Sequence, residues 1–129
     1  GFDITSRLGE EAVFLSAGGY HHHIGLNTWN SKNGTPPPFG HTGLFHFAIL
    51  LPNRKELAKV FKNILDHNYP YGGAADHEVS EAIYLRDPDG IGIELYCDVP
   101  EEDWKRKGEY IKMDTKRLDL NNLLDELNE

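Results

Sequence analysis

Alternating apolar and polar residues dominate the first third of the chain and predict three short strands. The alternation runs through residues 2–8, 12–17 and 20–29, and glycine-containing turns separate the three segments. Residues 30–41 follow, and their three prolines and two glycines exclude a sheet interior. We therefore expect a small antiparallel sheet that ends in a loop or linker.

A second pattern begins near residue 44 and predicts alternating strand and helix. A strand is expected over 44–51, followed by a helix after Asn53, which opens a sequence resembling a capping box. The helix carries an apolar stripe at helical spacing, formed by Leu57, Val60, Phe61, Ile64 and Leu65. After a glycine-containing loop we expect a hairpin with strands at 81–86 and 91–97 around the turn Asp87-Pro88-Asp89-Gly90, and then a C-terminal helix from about Leu118.

Side-chain parity in this second part places several polar groups on one face of the sheet. Successive side chains of a strand point to opposite faces. The apolar sets of the three strands (within 44–51, 81–86 and 91–97) must face the helix, so the remaining residues face the other way. That opposite face carries His46, Tyr84, Arg86, Glu94 and Tyr96.

This polar face has two interpretations. Many antiparallel sheets simply expose one face to solvent. The small residues Ala48 and Gly92 favour a site instead, because they leave space beside His46 and Glu94. Histidine and carboxylate together suit a divalent metal, and two histidines with one carboxylate favour Fe(II). Two ligands leave that set incomplete.

Three adjacent histidines, His21 to His23, form a second group of candidate functional residues. On a strand they cannot all share a face. Either His21 and His23 lie together, or His22 stands with Ile24 and Leu26, and periodicity leaves both arrangements open. One interpretation is that a partly buried imidazole among them acts as a general base near neutral pH. The alternative interpretation is a histidine cluster on the surface.

Composition and charge limit the classes of partner. The 129 residues suffice for one domain or two small modules, and the net charge of -8 argues against a nucleic-acid groove. No apolar run has the ~20 residues of a membrane helix. The single cysteine, Cys97, excludes an internal disulfide and suits a reducing cytoplasm. Because the chain starts at Gly1 without an initiator Met or helix cap, we expect a segment to precede it.

These features together resemble the glyoxalase/bleomycin-resistance/dioxygenase superfamily, also called the vicinal-oxygen-chelate superfamily. The motifs that carry the resemblance are Leu44-Phe45-His46-Phe47-Ala48-Ile49 and the later Asp87-Pro88-Asp89-Gly90-Ile91-Gly92-Ile93-Glu94-Leu95-Tyr96. It implies an α+β fold of paired βαβββ modules that curl a mixed sheet around one metal. On this interpretation residues 1–30 are a partial first module without its first strand and helix. Residues 31–43 are a linker, 44–100 a second module, and 101–129 an extension with a helix.

Within the superfamily the details look most like extradiol catechol 2,3-dioxygenases. The resemblance implies that His46 and Glu94 are iron ligands, with the third ligand on an absent N-terminal strand. It implies that His22 is the acid–base histidine and that Tyr84 hydrogen-bonds a substrate oxygen. It also implies that His77 is a histidine that supports the catalytic site, although the loop lengths differ from those of the family.

The resemblance implies an oxidoreductase that opens a catechol-type ring with O2 and Fe(II), with Mn(II) as the alternative metal. Its partners would be a small aromatic diol and O2, without nucleic acid or membrane, in a homo-oligomer. One alternative is a glyoxalase I-type lyase, which would carry a fourth ligand where this sequence has Gly25. Another is a metal-free module of the superfamily that binds small molecules.

Overall fold

The computed structural model describes residues 1–129 and divides them into two compact units, residues 1–37 and 38–129. The first unit is a three-stranded antiparallel sheet of β1 (Asp3–Leu8), β2 (Ala12–Ser16) and β3 (Ile24–Asn27), in the order β1-β2-β3. The division between the units falls inside the predicted linker.

The second unit contains a five-stranded mixed sheet, two helices and a small hairpin. Its elements are β4 (His46–Leu50), α1 (Arg54–Asp66), β5 (Tyr71–Asp76), β6 (Ser80–Arg86), β7 (Gly92–Asp98), a 3-10 turn (Glu101–Asp103), β8 (Arg106–Lys107), β9 (Tyr110–Ile111), β10 (Lys116–Arg117), α2 (Leu120–Asp125) and a final 3-10 turn (Glu126–Asn128). The sheet order is β10-β5-β6-β7-β4, while β8 and β9 pair with each other. Strand β4 runs parallel to β7, and the other pairs are antiparallel. The predicted α+β class with a mixed sheet is confirmed.

Helix α1 begins where its sequence predicts. The Asn53 side chain accepts a hydrogen bond from the Glu56 amide at 3.0 Å and caps the first turn. Its apolar stripe packs on one face of the sheet, where Leu57 and Phe61 are almost fully buried beside Ile83. This core leaves the opposite face of β4, β6 and β7 to the polar side chains predicted there.

Two expectations about secondary structure were wrong. Strand β5 occupies residues that the residue pattern predicted as a glycine-containing loop, although the βαβββ module implied by the resemblance includes a strand there. The pattern failed because Tyr71-Gly-Gly-Ala-Ala-Asp lacks the large apolar alternation of a strand and is held by pairing with β6. The third strand begins at Ile24 rather than at residue 20. The C-terminal helix was predicted correctly, but the strands β8, β9 and β10 before it were not.

Neither helix has the length and apolar character that a membrane-spanning helix needs.

Candidate metal centre

The side chains of His46 and Glu94 meet across two adjacent parallel strands. Strand β4 pairs with β7 so that Ala48 lies opposite Glu94 and His46 lies opposite Gly92. The Nε2 atom of His46 is 3.0 Å from Oε2 of Glu94. The Glu94 side chain is only 14% exposed, so this part of the polar face is not a freely solvated surface. The parity prediction for these two residues is confirmed.

Gly92 is what permits this close approach. A Cβ atom at residue 92 would lie 2.5 Å from the Phe45 carbonyl oxygen and 2.8 Å from the His46 Cβ. Both distances are far below ordinary van der Waals contact, and the first involves backbone that cannot rotate away. Any larger residue would therefore push the start of β4 away from β7.

Tyr84 extends the pair into a network. Strand β6 places Tyr84 directly opposite Glu94, and the Tyr84 hydroxyl donates to Oε1 of Glu94 at 3.2 Å. Burial, together with the charge of Glu94, raises the pKa of Tyr84 to about 12. The phenol is thus protonated at neutral pH and available as a hydrogen-bond donor.

The His77 ring contacts the hydroxyl of Tyr84. It lies in the tight connection between β5 and β6, and its Nε2 is 2.7 Å from the Tyr84 hydroxyl. Its Nδ1 faces the Asp114 carbonyl and the Thr115 hydroxyl, each at 3.2 Å. The ring therefore has hydrogen-bonding partners at both nitrogens, and the chain of contacts runs from residue 114 to Glu94.

Other polar residues of this part of the chain do not join the network. The Arg86 guanidinium donates to the Gly90 carbonyl at 2.8 Å and so braces the hairpin turn. Tyr96 lies opposite Ala82 in the sheet and makes no side-chain hydrogen bond to the pair. Burial raises the pKa of Cys97 to about 11, and this thiol belongs to the core under α1. Its protonated, buried state gives it no part in the site.

The donor set fits a divalent first-row metal. An imidazole nitrogen and a carboxylate oxygen that already converge to 3.0 Å need only a small adjustment to share one cation. No group of three His, Cys, Asp or Glu residues converges anywhere in residues 1–129. The chain thus brings together two predicted ligands and no third.

His22 belongs to the first unit and lies in the exposed segment between β2 and β3. Its Nδ1 is 2.8 Å from Nδ1 of His21, and its ring packs edge-on against Phe14 with a centroid distance of 5.0 Å. The third histidine is separate, since Nδ1 of His23 bonds the buried Ser16 hydroxyl at 3.0 Å.

Strand alternation does not decide which of these histidines share a face. Gly18 and Gly19 adopt left-handed φ values of 77 and 80°, which turn the chain out of β2. The His23 amide rejoins the ladder by donating to the Leu15 carbonyl at 2.8 Å. The expectation that the histidines sit on a regular strand was therefore wrong.

Asp114 and Thr115 were missed by the sequence analysis. They contact His77 through a backbone carbonyl and a hydroxyl, and they precede the two-residue strand β10. Their segment shows neither apolar periodicity nor a metal-ligand spacing. No local signal could have linked them to the site.

Comparison with known proteins places the chain in a family. Residues 1–95 match the model of the Glyoxalase/Bleomycin resistance protein/Dioxygenase superfamily. A protein of Bacillus subtilis (strain 168) named catechol-2,3-dioxygenase is 51% identical over 87 residues. That match covers 66% of this chain but only 30% of the relative, so the chain spans about a third of the relative's length.

Solved structures show the same fold at low identity. A lactoylglutathione lyase from Agrobacterium tumefaciens is 19% identical with a TM-score of 0.53, over 74% of this chain and 75% of that one. A glyoxalase/dioxygenase from Nostoc punctiforme is 17% identical with a TM-score of 0.57, over 69% and 61%. With its family match across most of its length, the chain belongs to the glyoxalase/bleomycin resistance protein/dioxygenase superfamily.

Proposed function

We propose that this chain carries part of the Fe(II) centre of an extradiol dioxygenase that opens catechol-type rings. His46 and Glu94 would hold the metal, with Mn(II) as the alternative ion. The observation that carries the proposal is the 3.0 Å approach of His46 Nε2 to Glu94 Oε2 on parallel strands. Residues 1–129 bring two of the proposed ligands together.

The metal would supply Lewis acidity and redox chemistry for the reaction of the diol with O2. The chain's own residues would bind and orient the substrate. The Tyr84 hydroxyl lies beside Glu94 and would hydrogen-bond a substrate oxygen. His77 would hold that hydroxyl in place from the opposite side.

Proton transfer would fall to His22. An imidazole can take a proton from the second hydroxyl of the diol at one ring nitrogen and return it later from that nitrogen. The contact between Nδ1 of His22 and Nδ1 of His21 implies one proton shared between them. If Nδ1 of His22 carries that proton, Nε2 of His22 is unprotonated and can act as the base.

The 51% identity to a protein named catechol-2,3-dioxygenase supports the dioxygenase over other members of the superfamily. A glyoxalase I-type lyase would place a carboxylate on β3 where this chain has Gly25. Gly25 packs against the Phe14 ring and offers no donor atom.

Metal content and turnover after anaerobic purification test the proposal. The protein should bind Fe(II) and, on admission of O2, convert a catechol to its ring-opened product. Glu94→Gln keeps the shape but removes the ligand charge, so it should lower iron affinity at least about 10-fold. Glu109→Gln makes the same change at an exposed turn residue and should leave affinity unchanged.

Three results would contradict the proposal. Unchanged iron stoichiometry in Glu94→Gln would show that Glu94 is not a ligand. Turnover of a thiol–ketoaldehyde adduct with Ni(II) or Zn(II), and none of catechol with iron, would instead identify a lyase. A protein that binds no metal would be a small-molecule-binding module.

A further inference from the structure

A C-terminal strap, residues 112–117, lies along the segment that carries His77. It is beyond the residues that match the superfamily model, which end at 95. Strand β10 pairs with β5, so that Lys116 lies opposite Asp76. The Asp114 amide also donates to the His77 carbonyl at 3.3 Å. The strap is therefore joined to the backbone of the strand before the histidine and to the carbonyl of the histidine itself.

Two lysines fasten the strap to Glu78, the residue after His77. Lys116 Nζ lies 2.8 Å from Oε1 of Glu78, and Lys112 Nζ lies 3.5 Å from Oε2. The hydrogen bond from Lys116 is the main reason that the pKa of Glu78 is lowered. Glu78 has a left-handed φ of 67° and a side chain only 8% exposed. The hydrogen bond from Lys116 and the longer ion pair with Lys112, whose partner Oε2 accepts no hydrogen bond, tie the strap to the residue after His77.

The contacts of the strap at Nδ1 bear on which ring nitrogen of His77 carries the proton. A backbone carbonyl only accepts hydrogen bonds, so the Asp114 oxygen at 3.2 Å favours a proton on Nδ1. In the neutral ring Nε2 is then an acceptor, and it lies 2.7 Å from the Tyr84 hydroxyl. Tyr84 has one proton and two acceptors within reach, Nε2 and the Glu94 carboxylate.

We propose that the strap is the positioning element of the site and sets the tautomer of His77. With Nδ1 protonated against Asp114 and Thr115, Nε2 competes with Glu94 for the proton of Tyr84. His77 is thus a positioning residue, and the strap acts through it. The effect on turnover rests on the function proposed above, whereas the tautomer itself does not.

The test compares the protein with a double variant, Glu78→Gln/Thr115→Val. This variant removes the charge of Glu78 and the Thr115 hydroxyl that faces Nδ1 of His77. Long-range ¹H–¹⁵N spectra of the metal-free protein at mildly alkaline pH report the His77 tautomer. The parent should show a protonated Nδ1 and well-separated nitrogen signals. The double variant should move toward the averaged signals of a free imidazole.

Two matched variants isolate the strap. Thr115→Ser, as a single change in the parent protein, keeps a hydroxyl at residue 115 and should keep the parent spectrum. Thr42→Val/Glu109→Gln makes the same two chemical changes at exposed positions outside the strap and should also keep it. Circular dichroism checks that every variant is folded. If the double variant does not fold, Thr115→Val alone should still shift the signals in the same direction.

In the iron-loaded protein the double variant should lower kcat for catechol about 10-fold, with little change in KM or in iron affinity. Averaged signals in the parent, a proton on Nε2, or a parent-like spectrum in the folded double variant would each overturn the proposal. A parent that binds no iron and opens no ring would contradict the proposed function, while the tautomer measurement would still decide the role of the strap.

Discussion

Replacing Gly92 by alanine is a direct test of how the two candidate ligands are brought together. The added Cβ would meet the Phe45 carbonyl oxygen at 2.5 Å and the His46 Cβ at 2.8 Å. Real Cβ atoms do not tolerate such contacts, and the nearest atom belongs to backbone. The substitution must therefore push the start of β4 outward from β7. Because β4 is the edge strand of its sheet, it has room to move.

The expected cost follows from two opposing effects. Overpacking of a well-fitted position typically costs about 1–3 kcal/mol. Replacing glycine also restricts the unfolded chain, which stabilises the fold by about 0.4–1 kcal/mol. We therefore expect Gly92→Ala to lower the free energy of unfolding by about 1.3 kcal/mol, the difference between the midpoints of these two ranges. The shift of β4 should also separate His46 from Glu94 and weaken iron binding about 10-fold or more.

Chemical denaturation measures the first effect and anaerobic Fe(II) titration the second. Gly73→Ala is the matched control, since Gly73 lies in β5 of the same sheet and its added Cβ would meet no atom within 4 Å. That control should be neutral or slightly stabilising and should bind iron as the parent does. Equal stability and equal iron affinity in the two variants would refute the role assigned to Gly92.

The acid–base and phenol assignments give two further predictions. His22→Asn should keep iron but lower catechol turnover by roughly 10²-fold, whereas His23→Asn should chiefly lower the melting temperature because it breaks the bond to buried Ser16; parent-rate turnover in His22→Asn would show that the assignment is wrong. In the metal-free protein Tyr84 should titrate at about 12, as followed by ultraviolet absorbance, against an ordinary value of about 10. Its raised pKa contributes stability below pH of about 10 that is lost as pH rises toward about 12, and Tyr84→Phe should lack this part of the pH dependence. An ordinary phenol titration would contradict the burial of Tyr84 beside Glu94.

Strand parity predicted the face shared by His46, Tyr84 and Glu94 because large apolar residues marked the other face without ambiguity. Ile83 and Leu95 are buried under α1, so their neighbours could only point away from it. Parity says nothing about which strands are adjacent. The parallel pairing of β4 with β7, and hence the 3.0 Å approach, depends on residues far apart in sequence.

The same reasoning failed where the backbone leaves regular structure. Around residues 20–23 two left-handed glycines and a hydrogen bond from the Thr5 hydroxyl to the His21 carbonyl at 2.7 Å replace the strand ladder. Alternation then carries no information about the direction of His22. A strand must be unbroken for parity to assign its side chains, and glycine pairs are where that condition should be doubted first.

The contacts of His77 show a further limit that no local pattern could overcome. The ring is held at Nδ1 by the Asp114 carbonyl, and a carbonyl belongs to every residue regardless of its side chain. The resemblance pointed to His77 and Tyr84, but nothing in it pointed to residues beyond the superfamily match. The strap contacts the His77 ring at Nδ1, whereas the Tyr84 hydroxyl lies at Nε2. Since Tyr84 is bonded to both His77 and Glu94, the tautomer of His77 bears on the proton nearest the candidate metal centre. Substitutions at residues 112–117 should therefore alter the site without touching any predicted ligand.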